Sequence, residues 1–259
     1  MKQIHINEAA ALLVAARASG ERLSTLPEHC MPADVAEAYA IQDAVSESLG
    51  AIGGWKVGAS GPEAEPACAP IPSAVIYAAP CDVPPPGAGE IGVEAEIAFR
   101  LNCDLPPRDE PYTREDVVAA IASVHPAVEL VTFRFSDPAA VSQAAILADA
   151  AGNGGFIFGT GRRDAVDLEQ TEQPVQLEIN ERMVCDTIGG NAAGDVLRLV
   201  VWLANHVAVR SGGLRAGQFV TTGTCSGLEW VAPGGVIKAA FAGLGSVSLT
   251  ITDDASPAR

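Results

Sequence analysis

Two carboxylates stand one residue apart in Glu94-Ala95-Glu96, inside a run otherwise made of Val93, Ala95, Ile97, Ala98 and Phe99. A strand sends alternate side chains to opposite faces. Both carboxylates would therefore point one way, while Val93, Ala95, Ile97 and Phe99 turn into a core. About 7 Å apart, at an effective dielectric of about 20, they repel by roughly 2 kcal/mol, which a solvated strand face would tolerate. Glu129 shifts the balance. It lies in a second apolar run, Ala127-Val128-Glu129-Leu130-Val131, and acidic residues are rarely buried without a partner. Three carboxylates carried on apolar strands predict a hard divalent cation with oxygen ligands.

Lys56 sits in Gly54-Trp55-Lys56-Val57-Gly58, among apolar and small residues. A half-buried lysine can act as acid, base or electrostatic anchor. The plainer alternative is a surface lysine snorkelling beside a tryptophan. Residues 221–227, Thr-Thr-Gly-Thr-Cys-Ser-Gly, follow a predicted strand and offer backbone N–H groups and hydroxyls to a carboxylate. A polar hairpin loop is the alternative there. Gly152-Asn153-Gly154-Gly155 fails the dinucleotide fingerprint, because Ile157 occupies the third glycine position and a predicted helix precedes the run. No G-x-S-x-G segment and no serine or cysteine triad pattern stands out.

The elements that must position these groups follow from periodicity. Asn7 is expected to cap a first helix with Ala9, Leu12, Leu13 and Ala16 on one face and Gly20 as its stop. A second helix follows Pro32, with Val35, Tyr39, Gln42 and Val45 in register, and ends at Gly50. Residues 51–90, rich in Gly and Pro, read as loops around short strands. Beyond them the pattern predicts strands at 92–101 and 127–133, and helices at 113–124 and 138–150. It then predicts a hairpin at 175–185 turning at Asn180-Glu181, a helix at 195–210, and strands at 219–222, 236–241 and 246–252. Helices first and strands after them imply an α+β fold. The expected division is an N-terminal helical or lid region over 1–80 and a β-rich, metal-binding catalytic domain over 81–259.

The chain has 259 residues, 48% of them apolar, enough for one large core or two modest ones. Its formal net charge of −16 repels nucleic-acid phosphates and anionic membranes, so neither is an expected partner. A small anionic substrate would need a local positive centre, which a bound cation supplies. No apolar run is long enough to span a membrane, and Glu8 and Arg17 interrupt what would otherwise resemble a signal peptide. A cytoplasmic location is expected. The six scattered cysteines, without a C-x-x-C pair, read as reduced, mostly buried small residues.

Taken together these segments resemble the 2-keto-4-pentenoate hydratase family, the hydratase/decarboxylase branch of the fumarylacetoacetate hydrolase superfamily. The matching stretches begin with Ala38-Tyr39-Ala40-Ile41-Gln42, Gly54-Trp55-Lys56-Val57-Gly58 and Val93-Glu94-Ala95-Glu96-Ile97-Ala98-Phe99. Next come Ala127-Val128-Glu129-Leu130-Val131 with Arg134, then Ala148-Asp149 leading to Gly154-Gly155-Phe156 and Gly159. Trp202-Leu203-Ala204-Asn205, Leu214-x-Ala216-Gly217, Thr222-Gly223-Thr224 and Pro233-Gly234 complete them. The resemblance spans nearly the whole chain. It implies a mixed β-roll or barrel of the fumarylacetoacetate hydrolase C-terminal type with an N-terminal helical part.

By the same resemblance, Glu94, Glu96 and Glu129 match the family's Mg2+ or Mn2+ ligands, and Lys56 its active-site lysine. Asp149 is the second catalytic candidate, and Arg134, Gly223 and Thr224 are the substrate-binding ones. A homo-oligomer is expected. The implied substrate is a small 2-oxo or 2-enol carboxylic acid, with hydration of a 2-hydroxy-dienoate as the leading reaction. Decarboxylation of a 2-oxo-3-enedioate, hydrolysis of an acylpyruvate C–C bond and a non-catalytic partner subunit are the alternatives.

The chain also departs from the family pattern. Ala67-Cys68-Ala69-Pro70-Ile71-Pro72 stands for a loop that usually carries an Asp. Thr132-Phe133-Arg134 replaces Asp-Ser-Arg, and Asp149-Ala150 replaces Asp-Asn. Apolar replacements of this kind are expected to favour alkyl-ended substrates over dicarboxylates. The carboxylate set itself generates the first testable expectation. Mg2+ or Mn2+ should raise the thermal midpoint by mass action, and Glu94→Gln should weaken that response, as differential scanning fluorimetry would read.

Overall fold

The computed structural model describes residues 1–166 and 170–253. Two helices lead, α1 (Gln3–Ser19) and α2 (Val35–Leu49), followed by β1 (Ile52–Gly58), β2 (Ala67–Pro72), β3 (Ile76–Ala78) and β4 (Cys81–Val83). β5 (Ile91–Leu101), α3 (Arg114–Ala119), β6 (Ile121–Val131), α4 (Gln143–Ala148) and β7 (Asn153–Phe158) carry the centre of the chain. β8 (Pro174–Ile179), β9 (Arg182–Ile188), α5 (Val196–Ser211), β10 (Phe219–Thr224), β11 (Glu229–Val231), β12 (Val236–Phe241) and β13 (Gly245–Ile251) complete it.

The strands form two mixed sheets. The larger runs β2-β1-β10-β5-β6-β7-β3, with β11 also paired to β5, and the smaller runs β4-β13-β12-β8-β9. β1 with β10, β3 with β7 and β4 with β13 are parallel; the other pairs are antiparallel. The architecture is the expected α+β one. Among the described residues no pairing joins β2 to β3, so the large sheet stays open and the barrel alternative does not apply. β1, β2 and β3 belong to the same sheet as β5, β6, β7 and β10. The boundary expected between residues 80 and 81 therefore runs across that sheet, and the first eighty residues are not a helical region alone.

Alternation along β5 works as the pattern requires. Val93, Ala95, Ile97 and Phe99 are fully buried in the main core, and Glu94 and Glu96 face the other side. Farther along that other side, Ala98, Ala127, Phe156 and Phe219 join Ile71 in a second, smaller apolar cluster. Asn180 and Glu181 take φ values of 52° and 64°, the left-handed pair that a two-residue hairpin turn needs, and β8 and β9 pair through it.

Several expectations are corrected. α1 starts four residues before Asn7, with Lys2 at its N-cap, so Asn7 lies inside the helix and accepts from Gln3 Nε2 at 2.9 Å. Thr113 and Asp116 do form a capping box, but α3 stops at Ala119 and the chain continues as β6. The competing principle is tertiary pairing: Ile121 to Val124 lie alongside Leu101 to Phe99 of β5, which overrides a weak local helical pattern. The helix expected over 138–150 is a 3-10 turn at Pro138–Ala140 followed by α4, capped by Ser142. β7, running straight out of the glycine-rich segment, was not anticipated. Only Cys30, Cys68 and Cys225 are buried, whereas Cys103 is exposed. No helix among the described residues is long and apolar enough to cross a membrane.

Phe99 packs between β10 and β6, opposite Val220 and Val124, with no exposed surface. Phe99→Ala should cost about 3–5 kcal/mol of stability in chemical denaturation. Val209→Ala, on a residue of α5 that is 93% exposed, should stay within about 0.5 kcal/mol of the parent.

Candidate active site and metal centre

β5 and β6 run antiparallel with Glu94 directly opposite Glu129 and Glu96 opposite Ala127. This register puts three carboxylates on one face, where like charges placed opposite each other repel. Each offers an oxygen within 4.8 Å of the others. Glu129 and Glu96 are buried and Glu94 is half-buried. β1 reaches the same face through β10, with Lys56 in register with Thr221, and Lys56 Nζ donates to Glu129 Oε1 at 2.6 Å. Three carboxylates and one ammonium leave a net charge of −2, which a single divalent cation balances.

The donors around the carboxylates are distributed unevenly. Lys56 Nζ and Asn153 Nδ2 (2.9 Å) both donate to Glu129 Oε1, while Glu129 Oε2 is buried with no partner. Thr221 Oγ1 and the Gly223 N–H (2.9 Å) both donate to Glu96 Oε2. Gly223 holds φ at 88°, a left-handed value that a β-carbon would strain, and that turn aims its N–H at Glu96. Glu94 accepts no hydrogen bond from the described residues. An unmet buried acceptor costs about 1–3 kcal/mol, more when charged. Glu129 Oε2 and its two neighbours therefore form an all-oxygen donor set suited to Mg2+ or Mn2+.

Electrostatics follows the same arrangement. Burial, and then the Glu129 and Glu94 charges, push the Glu96 carboxyl up to about 8. Burial and Glu129 push Glu94 up to about 7, against the pull of Lys56. Burial works against the Lys56 charge, but Glu129, Glu94 and Glu96 together more than reverse it, so its ammonium is held above the ordinary lysine value. A pocket of about 200 Å³ opens onto Lys56, Glu94 and Glu96. Val57, Gly58, Ala59, Asn191, Ala192, Thr222, Gly223 and Thr224 complete its wall.

Of the candidate residues, Lys56, Glu94, Glu96, Glu129, Gly223 and Thr224 come together. The Thr224 hydroxyl is engaged in its own turn, donating to Gly227 O at 3.0 Å and accepting from Ser226 N at 3.2 Å. Arg134 and Asp149 do not reach the pocket. Arg134 is 3% exposed, ion-pairs with Asp149 through Nε, and donates to Asp149 O (2.7 Å) and Asn153 O (3.0 Å). Burial raises the Asp149 carboxyl, against the pull of Arg134. The pair is a brace behind Asn153, and through Asn153 it bears on Glu129. A substrate-binding Arg134 and a catalytic Asp149 are thus not what the geometry provides. Residues 67–72 form β2, paired along β1, and neither they nor Phe133 line the pocket.

Sequence reasoning missed Asn153 and Asn191. Asn153 lay in the segment rejected as a nucleotide loop. Asn191 Nδ2 donates to Thr222 O (2.8 Å) and Gly223 O (3.0 Å), which closes the loop after β9 over the pocket. Ala150 and Ala151 take φ values of 51° and 48° ahead of Gly152 at 77°, and Ala151 O accepts from Lys56 Nζ at 3.2 Å. Left-handed backbone costs about 1–2 kcal/mol per non-glycine residue. The departure from the family's Asp-Asn pair thus falls on a residue whose backbone suits Asn better than Ala.

The chain belongs to the Fumarylacetoacetate (FAA) hydrolase C-terminal family, whose model matches residues 44–252. Among its relatives, a 2-keto-4-pentenoate hydratase of Burkholderia vietnamiensis is 29% identical over 94% of this chain and 96% of that protein. A 2-hydroxyhexa-2,4-dienoate hydratase of Comamonas testosteroni is 31% identical over 62% of this chain, a match spanning 60% of that relative's length. The solved 4-oxalocrotonate decarboxylase of Pseudomonas putida G7, complexed with magnesium and adipate, superposes with a TM-score of 0.83. It is 25% identical, over 97% of this chain and 98% of that one.

The raised carboxyls generate a pH expectation. A carboxyl whose folded value lies above its unfolded value costs stability as pH climbs from the unfolded value of 4.5 toward the folded value of about 7. Glu94→Gln removes that loss. In chelator-treated protein, its stability relative to the parent should rise by about 1–3 kcal/mol from acid to mildly alkaline pH. Urea titrations across that range check this.

Proposed function

We propose that this chain is a divalent-metal-dependent hydro-lyase that adds water to a 2-hydroxy-dienoate, with Glu94, Glu96 and Glu129 as the ligands of Mg2+ or Mn2+. The observation that carries the reading is the convergence of those three carboxylates within 4.8 Å of one another, with Lys56 paired to Glu129 and Glu94 and Glu96 lining a pocket. The names of the relatives agree with it, both as hydratases and, for the solved structure, in the magnesium it contains. A cytoplasmic homo-oligomer is part of the proposal.

When bound, the cation supplies a positive centre for the carboxylate and 2-oxygen of the substrate. The protein's own groups do the rest. Glu129 is held from one side by Lys56 and Asn153, so its second oxygen stays directed at the centre. Thr221 and Gly223 hold Glu96 in the same manner. Lys56 keeps a proton at Nζ beside the pocket, where it can stabilise developing negative charge on the substrate's 2-oxygen and exchange a proton with it. Loss of the 2-hydroxyl proton with protonation at C5 turns the dienol into a 2-oxo-3-enoate; water then adds across that C3–C4 double bond, its oxygen to C4 and its proton to C3. Val57, Ala59 and Ala192 give that part of the pocket an apolar wall.

Decarboxylation of a 2-oxo-3-enedioate is the second reading, favoured by the likeness to the decarboxylase. The pocket argues against a second carboxylate on the substrate. Its one lining cation among the described residues, Lys56, is already engaged by Glu129. An unpaired carboxylate would meet Glu94 and Glu96 with no counter-charge of its own.

The test compares an alkyl-ended 2-hydroxy-dienoate with a dicarboxylate analogue at fixed Mg2+, following ultraviolet loss and product mass. kcat/KM should be about tenfold or more higher for the alkyl-ended substrate, the size of one modest polar mismatch. Lys56→Ala should lower kcat at least about a hundredfold while the protein still takes up Mg2+. Carbon dioxide release with a dicarboxylate preference would establish the decarboxylase instead.

A further inference from the structure

A second set of metal-ligating side chains lies on the N-terminal elements, and none of its members lines the carboxylate pocket. His5 and Glu8 are three residues apart on α1, so they share one face of the helix. The 3-10 turn Glu28–Cys30 packs against that helix and brings His29 and Cys30 to the same face. Glu8, His29 and Cys30 each offer a ligand atom within 4.8 Å of the other two. His29 Nε2 is 3.0 Å from Glu8 Oε2, and the Cys30 thiol lies within 4.8 Å of both side chains. The His5 ring stands edge-on to His29 with centroids 4.9 Å apart.

Burial is graded across the group. Cys30 is wholly buried and forms the floor, while the Glu8 and His29 side chains are about half exposed and leave an entry path. The donor chemistry differs from that of the carboxylate centre. One sulfur, imidazole nitrogen and one carboxylate oxygen suit a borderline-soft cation that accepts four ligands, which is the preference of Zn2+; Mg2+ selects oxygen alone. A thiolate and a carboxylate also balance two positive charges, with the imidazoles neutral. A surface Glu–His contact needs neither a buried thiol beneath it nor a second imidazole beside it.

We propose that Glu8, His29 and Cys30 form a Zn2+ site that fastens the start of α1 to the turn before α2, with the His5 ring standing beside it. Binding releases the thiol proton to solvent and replaces the Glu8 contacts by bonds to the ion. Its role is to join two elements: the three protein donors come from α1 and the turn before α2, apart from the carboxylate pocket.

The experiment uses the reduced full chain in excess Mg2+, titrated with Co2+ as a spectroscopic stand-in and then with Zn2+. A near-ultraviolet thiolate-to-cobalt absorption should appear and be bleached by one equivalent of Zn2+, because the carboxylate centre contains no sulfur. Cys30→Ser should lose that absorption. His29→Gln should weaken Zn2+ binding by about a hundredfold or more, and Zn2+ should raise the melting midpoint of the parent but of neither variant. His29→Gln keeps the test decisive if Cys30→Ser does not fold. Absence of the absorption from the parent protein, or its persistence in Cys30→Ser through another cysteine, overturns the proposal.

Discussion

Three carboxylates crowded on one face of a sheet set the terms for the rest of the molecule. Glu94 and Glu129 are direct cross-strand neighbours, and Glu96 is one alternation away, all largely withdrawn from water. Their desolvation, and after it their mutual repulsion, push Glu94 and Glu96 toward neutrality without a cation. A fold could relieve this by protonation, by enough basic residues or by a cation. This one supplies a single ammonium, Lys56, and leaves Glu129 Oε2 without a donor. The partial neutralisation is selective: each buried carboxylate is gripped through one oxygen and left unbonded or pocket-directed through the other.

That grip draws on remote parts of the chain. Asn153, which steadies Glu129, has its own carbonyl held by Arg134 at 3.0 Å and by Arg17 of α1 at 2.8 Å. Burial, and after it the neighbouring Arg134, lowers Arg17 to about 10, still a cation at neutral pH. Asp149 neutralises Arg134 from the end of α4. The left-handed backbone at Ala150 and Ala151 turns a carbonyl toward Lys56. The N-terminal helix, the left-handed segment and the Asp149–Arg134 pair are therefore supports of the carboxylate centre. This explains why Arg134 and Asp149 stand out in sequence and yet lie outside the pocket: a buried ion pair that loses one member leaves the other charge uncompensated.

The order of elements and the faces of β5 were legible in the chain itself, because a period-two alternation of Val93, Ala95, Ile97 and Phe99 against Glu94 and Glu96 admits one orientation. Local chemistry also made a turn and a helix stop readable where they are self-contained, as at Asn180-Glu181 and Gly20. It failed where partners decided. The helix read through residue 124 became a strand because β5 lay ready to pair with it, and the glycine-rich segment before Phe156 became β7 because β6 and β3 flank it. Cys30 reads in sequence as one of the scattered small residues, and only the packing of α1 beside its turn brings Glu8 to it and to His29.

The sequence by itself determined that Glu94, Glu96 and Glu129 ride on apolar strands and that Lys56 sits among small residues, since those are properties of residue type and spacing. Only the tertiary structure decided which groups meet. Register put Glu129 opposite Glu94, a parallel β1–β10 pairing brought Lys56 to them, and Asn153 arrived from a strand formed after a left-handed turn. Pairings between strands distant in the chain depend on loop paths and on the summed burial of both faces, and no local window of sequence contains either quantity.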